Sequence, residues 1–212
     1  MRIKIKYSIL ALRNHQLILN ESMSKIKRVF TLLIIVLITI QCSRKDPFLI
    51  EKNRVGLISN IDLIGNIEEI FKNDSIVTYI SEGEMGGRDT KYIQENDQYL
   101  IFSKRGKHLM TIVPKIQHDS TSTVKYVEIM NPQFKTEKGI NLNSPFKDIN
   151  VNYLINKIEP SLSSATLYID ELNATISLDK KELGLNQFST KEIRVEQIPD
   201  LAKIKYLTIW FN

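Results

Sequence analysis

The stretch DQYLIFSKRGKHLMTIVP, residues 97–114, contains the clearest local structure in the sequence. Two apolar runs, rich in aromatic and β-branched residues, flank the segment SKRGK at 103–107. Such residues favour strands, and a glycine between two runs supplies the backbone freedom that a tight turn needs. The stretch therefore predicts a β-hairpin with Gly106 in its turn.

More strands follow this hairpin. TVKYVEIM (123–130) alternates with a period of two, as a half-buried strand does. The second half supplies further short runs: VNYLINKIE, SATLYID, ATISLDK, KEIRVEQI and KIKYLTIWF. SATLYID and ATISLDK are joined by ELN (171–173), which predicts a second hairpin. Few segments keep a helical period beyond two or three turns. The pattern therefore predicts an α+β fold, mainly an antiparallel β-sheet with two or three short helices.

Two segments on either side of the first hairpin resemble each other. RVGLISNIDLIGNIEEIFKNDSIV (54–77) and KGINLNSPFKDINVNYLINKIE (138–159) each contain a short strand with glycine, a polar helix start, a short helix and an apolar strand. Pro145 after Ser144 is a good helix-start signal, because proline fits the first turn. The pattern indicates a duplicated strand–helix–strand unit. Two unrelated αβ segments are the alternative interpretation.

The composition fits one globular domain, but the net charge of +5 is unevenly distributed. Residues 1–41 carry seven Lys and Arg against one acid, Glu21, a net of +6 that leaves −1 for residues 42–212. Nucleic-acid-binding domains carry their basic patches on the folded part. We therefore expect no nucleic-acid partner.

The basic N-terminal part ends as an export signal does. From Met23 it reads MSKIKRVFTLLIIVLITIQCSRKD, with three basic residues before a largely apolar run of 12 residues, Val29 to Ile40. A helix that spans a ~30 Å hydrocarbon core needs roughly 20 apolar residues, so this run is typical of a signal-peptide h-region. Cys42, the only cysteine, follows two residues later.

This arrangement resembles the bacterial lipoproteins, of Bacteroidota type, that signal peptidase II cleaves. The resemblance implies a signal peptide at 23–41, lipidation of Cys42 and a tether at 42–53, followed by a single α+β domain at 54–212. Two or three acyl chains, at ~0.8 kcal/mol per buried CH₂, make such an anchor close to permanent. Residues 1–22 are interpreted as a non-native upstream extension. An uncleaved N-terminal signal anchor is the alternative.

The residues after the cysteine indicate an address. Ser43 differs from the aspartate that retains lipoproteins in the inner membrane of enterobacteria. Arg44 and Lys45 differ from the acidic run of surface-exported lipoproteins. We therefore expect an outer-membrane lipoprotein that faces the periplasm.

A second resemblance covers KYVEIMNPQFKTEKGINLNSPFKDI, residues 125–149. It is similar to a stretch of uncharacterised envelope lipoproteins, in which a strand ending in Ser/Asn-Pro precedes an aromatic residue, Thr, Gly-Ile and a short helix. The matching residues are Asn131, Pro132, Phe134, Thr136, Gly139, Ile140, Asn143, Ser144 and Phe146. The resemblance implies a class of fold and an address, without an activity.

The glycine-rich stretch SEGEMGGRDTK (81–91) concentrates three glycines and three acids. It lacks the lysine and helix start of a phosphate loop and the alternating acids of a calcium loop. We interpret it as a flexible loop, and as the place to look for a ligand-gating segment.

The remaining polar residues give no catalytic or metal motif. His118-Asp119-Ser120 has the residue types of a triad, but adjacent residues cannot converge as a triad requires, so a solvated loop is expected. The other histidine after Cys42 is His108, and two histidines leave too few ligands for a His/Cys zinc site. Three acids flank the second hairpin and are interpreted as turn residues rather than a glycosidase pair: Asp170, Glu171 and Asp179.

At the C-terminus, Trp210 and Phe211 are expected in a final strand pinned into the core, with an exposed partner-binding patch as the alternative. The sequence thus predicts an address and a fold class, without catalytic residues, cofactor or metal. We expect a lipid-anchored envelope protein that contacts the membrane and an envelope protein partner, and works as a non-enzymatic binding or assembly-support module. A carboxylate-dependent hydrolase or ligand-carrying envelope protein is the alternative.

Overall fold

The computed structural model of the protein describes residues 46–81, 96–184 and 191–212. In chain order the strands are β1 (Leu49–Glu51), β2 (Arg54–Val55), β3 (Ile58–Ser59), β4 (Ser75–Tyr79), β5 (Gln98–Phe102), β6 (His108–Pro114), β7 (Val124–Ile129), β8 (Lys135–Thr136), β9 (Lys157–Pro160), β10 (Ser164–Ile169), β11 (Ala174–Asp179) and β12 (Ile204–Trp210). The helices are α1 (Ile67–Ile70), which follows a 3-10 turn at Ile64–Asn66, and α2 (Phe146–Asn152). The predicted α+β class, mainly antiparallel strand with short helices, is confirmed.

Most strands form one eight-stranded antiparallel sheet in the order β4-β5-β6-β7-β12-β11-β10-β9. The predicted hairpin at 97–114 forms β5 and β6, and Gly106 takes a positive φ of 73° in its turn. The predicted strand at 123–130 forms β7, and the second predicted hairpin forms β10 and β11. The sheet therefore consists of two four-stranded meanders that meet where β7 pairs with β12.

The junction of the two meanders has local two-fold symmetry. The paired residues are Leu207–Ile129, Thr208–Glu128, Ile209–Val127 and Trp210–Tyr126. Adding 80 to the numbers of Val127, Glu128 and Ile129 gives Leu207, Thr208 and Ile209. The two pairs on either side of Glu128–Thr208 are therefore related to each other, and this central pair lies on the two-fold axis. Both meanders also carry a bulge at the same place, between Val113 and Pro114 and between Ser177 and Leu178.

The helices follow the same symmetry. Each has a buried face built from apolar residues at helical spacing: Ile64, Ile67 and Phe71 in the first half, and Phe146, Ile149 and Tyr153 in the second. Each start is tied to the loop before the last strand of its half, because the N–H of Ile64 donates to Ser122 O and the N–H of Phe146 to Ala202 O, both at 2.9 Å. The predicted duplication is therefore visible in the fold.

The folded part begins before the predicted boundary at residue 54. Leu49–Glu51, expected in a tether at 42–53, forms β1, which pairs antiparallel with β2 and parallel with β8. Ile50 is fully buried, because the apolar run that includes it packs into the core. β2 and β8 each start a hairpin that leads to a helix, so β1 lies between equivalent strands of the two halves.

One predicted strand is wrong. KEIRVEQI forms a 3-10 turn at Val195–Gln197 and no strand. The Gln197 side chain accepts the Arg194 N–H at 2.9 Å, and the Gln197 N–H donates to Arg194 O at 3.0 Å. This local closure competes with strand pairing. Ile193 and Ile198 still reach the core, so the apolar pattern reported burial and not strand geometry.

Candidate functional site

The predicted lipidation site precedes the folded part in the sequence. Cys42, with all of residues 1–45, lies outside the described residues. The described part of the chain begins at Asp46, four positions after Cys42, and β1 begins at Leu49.

The segment that leads into β1 is fixed by contacts to both halves of the fold. The Phe48 ring meets the buried Phe134 ring edge-on, with centroids 5.2 Å apart. Phe48 O accepts the Lys135 N–H at 3.0 Å, and Leu49 O accepts the Gly56 N–H at 2.7 Å. Phe48 and Leu49 are therefore built into the domain.

A cleft of about 540 Å³ lies beside β1. Its lining residues include Lys52, Arg54, Asn60, Lys138, Tyr153 and Glu171. Its charges are mostly satisfied inside the protein: Arg54 pairs with Glu51, and Lys138 pairs with Glu171 at 2.7 Å while lying 4.3 Å from the centre of the Tyr153 ring. A charged ligand would have to displace these pairs, so the cleft does not define a ligand class.

A polar cluster that sequence reasoning missed joins Ser81, Asp97 and His118. The buried Asp97 carboxylate accepts the Ser81 N–H and hydroxyl at 2.8 and 2.9 Å and the His118 N–H at 2.6 Å. Burial raises the pKa of the Asp97 carboxyl, but these hydrogen bonds together lower it by more, so the pKa lies below its usual value. His118 takes a positive φ of 58°, which turns its N–H toward Asp97.

These three residues have the types of a hydrolytic triad in the wrong order. In a triad the histidine links the acid to the serine, whereas here Asp97 contacts the hydroxyl of Ser81. The Ser81 hydroxyl has one proton, which it donates in the hydrogen bond to the ionised Asp97 carboxylate. The Nε2 of His118, 2.9 Å from Ser81 Oγ, must then donate to that oxygen rather than remove its proton. The His118 side chain is solvent-exposed, as predicted, but it is not free of contacts.

The other predicted residues are dispersed. His108 stacks on Phe102 with ring centroids 4.7 Å apart, and burial lowers the pKa of its imidazole. Glu171 pairs with Lys138 and Asp179 with Lys205. Asp170 and Asp179 lie at opposite ends of the β10–β11 hairpin, so the structure does not bring these acids together. In the glycine-rich stretch only Ser81 lies within the described residues.

The two C-terminal aromatic residues point to opposite faces of the last strand. Phe211 is buried in the core, as predicted. Trp210 is half-buried on the other face, where its Nε1–H donates to Thr175 Oγ1 at 3.1 Å and its ring lies 4.9 Å from that of Tyr126. Phe211 therefore lies in the core as expected, whereas Trp210 lies half-buried on the opposite face.

The described residues contain neither a cluster of metal-ligating side chains nor a helix that could cross a membrane. Within residues 46–81, 96–184 and 191–212, no group of three or more His, Cys, Asp or Glu side chains is placed to hold a metal ion. Among the helices in the same ranges, none is long and apolar enough to cross a membrane.

Comparison with known proteins yields a weak structural similarity. No family model and no curated protein matches the sequence. The fold is similar to the crystal structure of the uncharacterized protein yfeY from Escherichia coli, with a TM-score of 0.44 and 9% sequence identity over 76% of this chain and 98% of that chain.

Proposed function

We propose that this protein is a lipid-anchored protein of the cell envelope, held through acyl chains on Cys42, and that it works as a non-enzymatic binding or assembly-support module. The observation that carries the proposal is the basic segment and apolar run that end at the only cysteine. In the described part of the chain, β1 begins seven positions after Cys42. The proposed address is the outer membrane, facing the periplasm.

The position of β1 gives the anchor a structural consequence. β1 lies between β2 and β8, so a lipid on Cys42 would hold both halves of the domain near the membrane surface. A long flexible tether would let the domain sample many orientations. A short connection to a buried strand would instead present one end of the fold to the membrane, as suits a module that receives partners at fixed height.

The two described acids whose pKa is raised by burial alone or chiefly by burial do not form the carboxylate pair that the hydrolase alternative needs. A carboxylate pair needs two acids roughly 5–9.5 Å apart. Burial raises the pKa of Asp74 and of Glu128. Asp74 precedes β4 and Glu128 lies in β7, three strands away, which is about 14 Å at the usual strand spacing.

Labelling with a fatty-acid analogue tests the anchor. The full chain, expressed in a bacterium with signal peptidase II, is expected to incorporate label and fractionate with membranes. Cys42→Ala should abolish both labelling and cleavage, whereas Ser43→Ala, a matched change one residue away, should leave them intact. Undiminished labelling of the Cys42→Ala variant would contradict the proposal.

A further inference from the structure

On the face of the large sheet opposite the core, β7 and β12 carry half-exposed side chains, whereas Thr111 in the adjoining strand β6 is buried. In β10 and β11 buried residues alternate with half-buried ones, as in an antiparallel sheet with one face on the core. The pairing across the central strands places Thr111, Glu128, Thr208 and Thr175 in one row on this second face. Glu128 lies near the middle of this row, on the two-fold axis between the halves.

The Glu128 carboxylate has no partner within the described residues. No hydrogen bond or ion pair between described residues involves it, whereas Glu159 in β9 and Asp179 in β11 are each paired with a lysine. The side chain is half-buried, and burial raises the pKa of its carboxyl. A charge that is partly removed from water without a counter-ion is unfavourable. The site would gain from a cation.

Large apolar and aromatic side chains surround this carboxylate. On one side of the row lie Tyr126 and Trp210, whose rings are in contact. Burial and then the charge of Glu128 raise the pKa of the Tyr126 hydroxyl, which places Tyr126 near this carboxylate. On the other side, one position beyond the Leu207–Ile129 pair, lie Met130 and Tyr206, with 40% and 46% of their surfaces exposed. Together we call Tyr126, Glu128, Met130, Tyr206 and Trp210 the axial patch.

Two lysines of the sheet are engaged elsewhere. Lys157 pairs with Glu159 in β9, at the far edge of the sheet. Lys205, in the adjacent strand β12, lies 3.4 Å from Asp179 and 5.5 Å from the centre of the Tyr206 ring. Within residues 46–81, 96–184 and 191–212, no cation is therefore paired with the central carboxylate of the axial patch.

We propose that the axial patch docks a protein partner that places one arginine side chain against the Glu128 carboxylate and over the Tyr126 and Trp210 rings. A guanidinium group is planar and stacks on aromatic faces while it donates to a carboxylate. Tryptophan, tyrosine and methionine are enriched at protein interfaces, which favours a protein as the occupant. A second copy of this chain fits less well, because it would bring two Glu128 carboxylates together.

Trp210 is the only tryptophan, so its fluorescence reports directly on the axial patch. The full chain in detergent micelles is titrated with acetyl-Gly-Arg-Gly-amide and, as a neutral control, with the citrulline analogue at matched ionic strength. We expect a saturable change with the arginine peptide alone. Binding should be weak, on the order of millimolar, because one partly exposed ion pair and one stacked ring are involved.

Two variants separate the patch from a general charge effect. Glu128→Gln is expected to weaken binding about tenfold, whereas Glu68→Gln, which removes an exposed charge on α1, should leave it unchanged. Glu128→Gln should also melt no earlier than the wild type, because it removes a partly buried charge, so a loss of binding is not a loss of folding.

Three results would overturn the proposal: no saturable response, equal responses to arginine and citrulline, or equal affinity in Glu128→Gln. Self-association that Glu128→Gln strengthens would also overturn it, by making a second copy the occupant. The inference rests on the proposed binding role but not on the anchor. Failed fatty-acid labelling would leave these titrations intact, and failed titrations would leave the anchor intact.

Discussion

The two halves of the fold, residues 55–130 and 136–211, share their geometry but differ in the chemistry that holds it. Both have a hairpin, a short helix and a four-stranded meander with a bulge at the same place. In each, a backbone N–H before the helix is bound by the side chain three residues later: Ser59 N–H by Asp62 at 2.7 Å, and Asn141 N–H by Ser144 at 3.1 Å. A different acceptor thus performs the same task in each half.

The corners after β4 and β9 differ more strongly. Ser81 and Ser161 occupy related positions, 80 residues apart. In the first half the buried Asp97 accepts hydrogen bonds from Ser81. In the second half the fully buried Lys180 donates to the carbonyl oxygen of Ser161. A carboxylate thus closes one corner and a lysine amino group the related one. This fold therefore constrains where a polar contact is needed and not which residue supplies it.

The largest expected effect tests whether the halves are equivalent in the core. Ile67→Ala and Ile149→Ala remove related, fully buried side chains from α1 and α2, and each should cost about 3 kcal/mol of unfolding free energy. Glu69→Ala and Val151→Ala, at related exposed positions, should stay within about 0.5 kcal/mol. Urea denaturation measures all four. If one isoleucine variant lost less than about 1 kcal/mol, the halves would not share the core equally.

Much of this equivalence could be predicted from the sequence. The 3.6-residue spacing of apolar residues in α1 and α2 and the period of two in β7 are local signals, and they predicted the right elements. β1 was missed because three residues in a charged segment form a strand only when partners on both sides pair with them. The strand predicted for KEIRVEQI was wrong because hydrogen bonds between Arg194 and Gln197 close a local turn, which prevents the segment from pairing as a strand.

The candidate sites were harder to predict than the elements. The hydrogen-bond donors to Asp97 are Ser81 and His118, which are 16 and 21 positions away, and no spacing rule connects the three residues. Glu128 looks like any polar residue of an alternating strand, and only the pairing of β7 with β12 places it on the axis. Long-range register, which depends on the whole sheet, decides both.

The next prediction tests the asymmetry that β1 introduces. Gly56 has a φ of 56°, and a β-carbon built on it would lie 2.2 Å from Pro47 O. Gly56→Ala is therefore expected to cost about 3 kcal/mol, from positive-φ strain together with a backbone clash. Gly139, in the hairpin of the second half, has a φ of 81° but nothing within 4 Å of that position. Gly139→Ala should cost only about 1 kcal/mol.

Urea midpoints compare the two glycine variants, with circular dichroism as a check that both fold. A double variant, Gly56→Ala with Gly139→Ala, should show nearly additive losses, since the two positions contact different parts of the chain. Equal costs for the single variants would mean that Pro47 moves freely away from Gly56, and the close packing of the segment before β1 would be refuted.

The smallest expected effect concerns the corner that only the first half closes with an acid. Asp97→Asn keeps the shape but weakens hydrogen bonds that need a charged acceptor, and should cost about 2 kcal/mol at pH 7. Asp200→Asn, in the exposed loop before β12, should cost far less. Because hydrogen bonds hold the pKa of Asp97 below its ordinary value of 3.8, the carboxylate contributes its stability above that value and loses it as the pH falls through the folded-state pKa. The stability gap between wild type and Asp97→Asn, measured by urea denaturation at pH 7, 5 and 3, should thus stay constant from 7 to 5 and narrow below 4. A gap that widened toward low pH would show that Asp97 folds protonated, and an ionised carboxylate would not be what closes this corner.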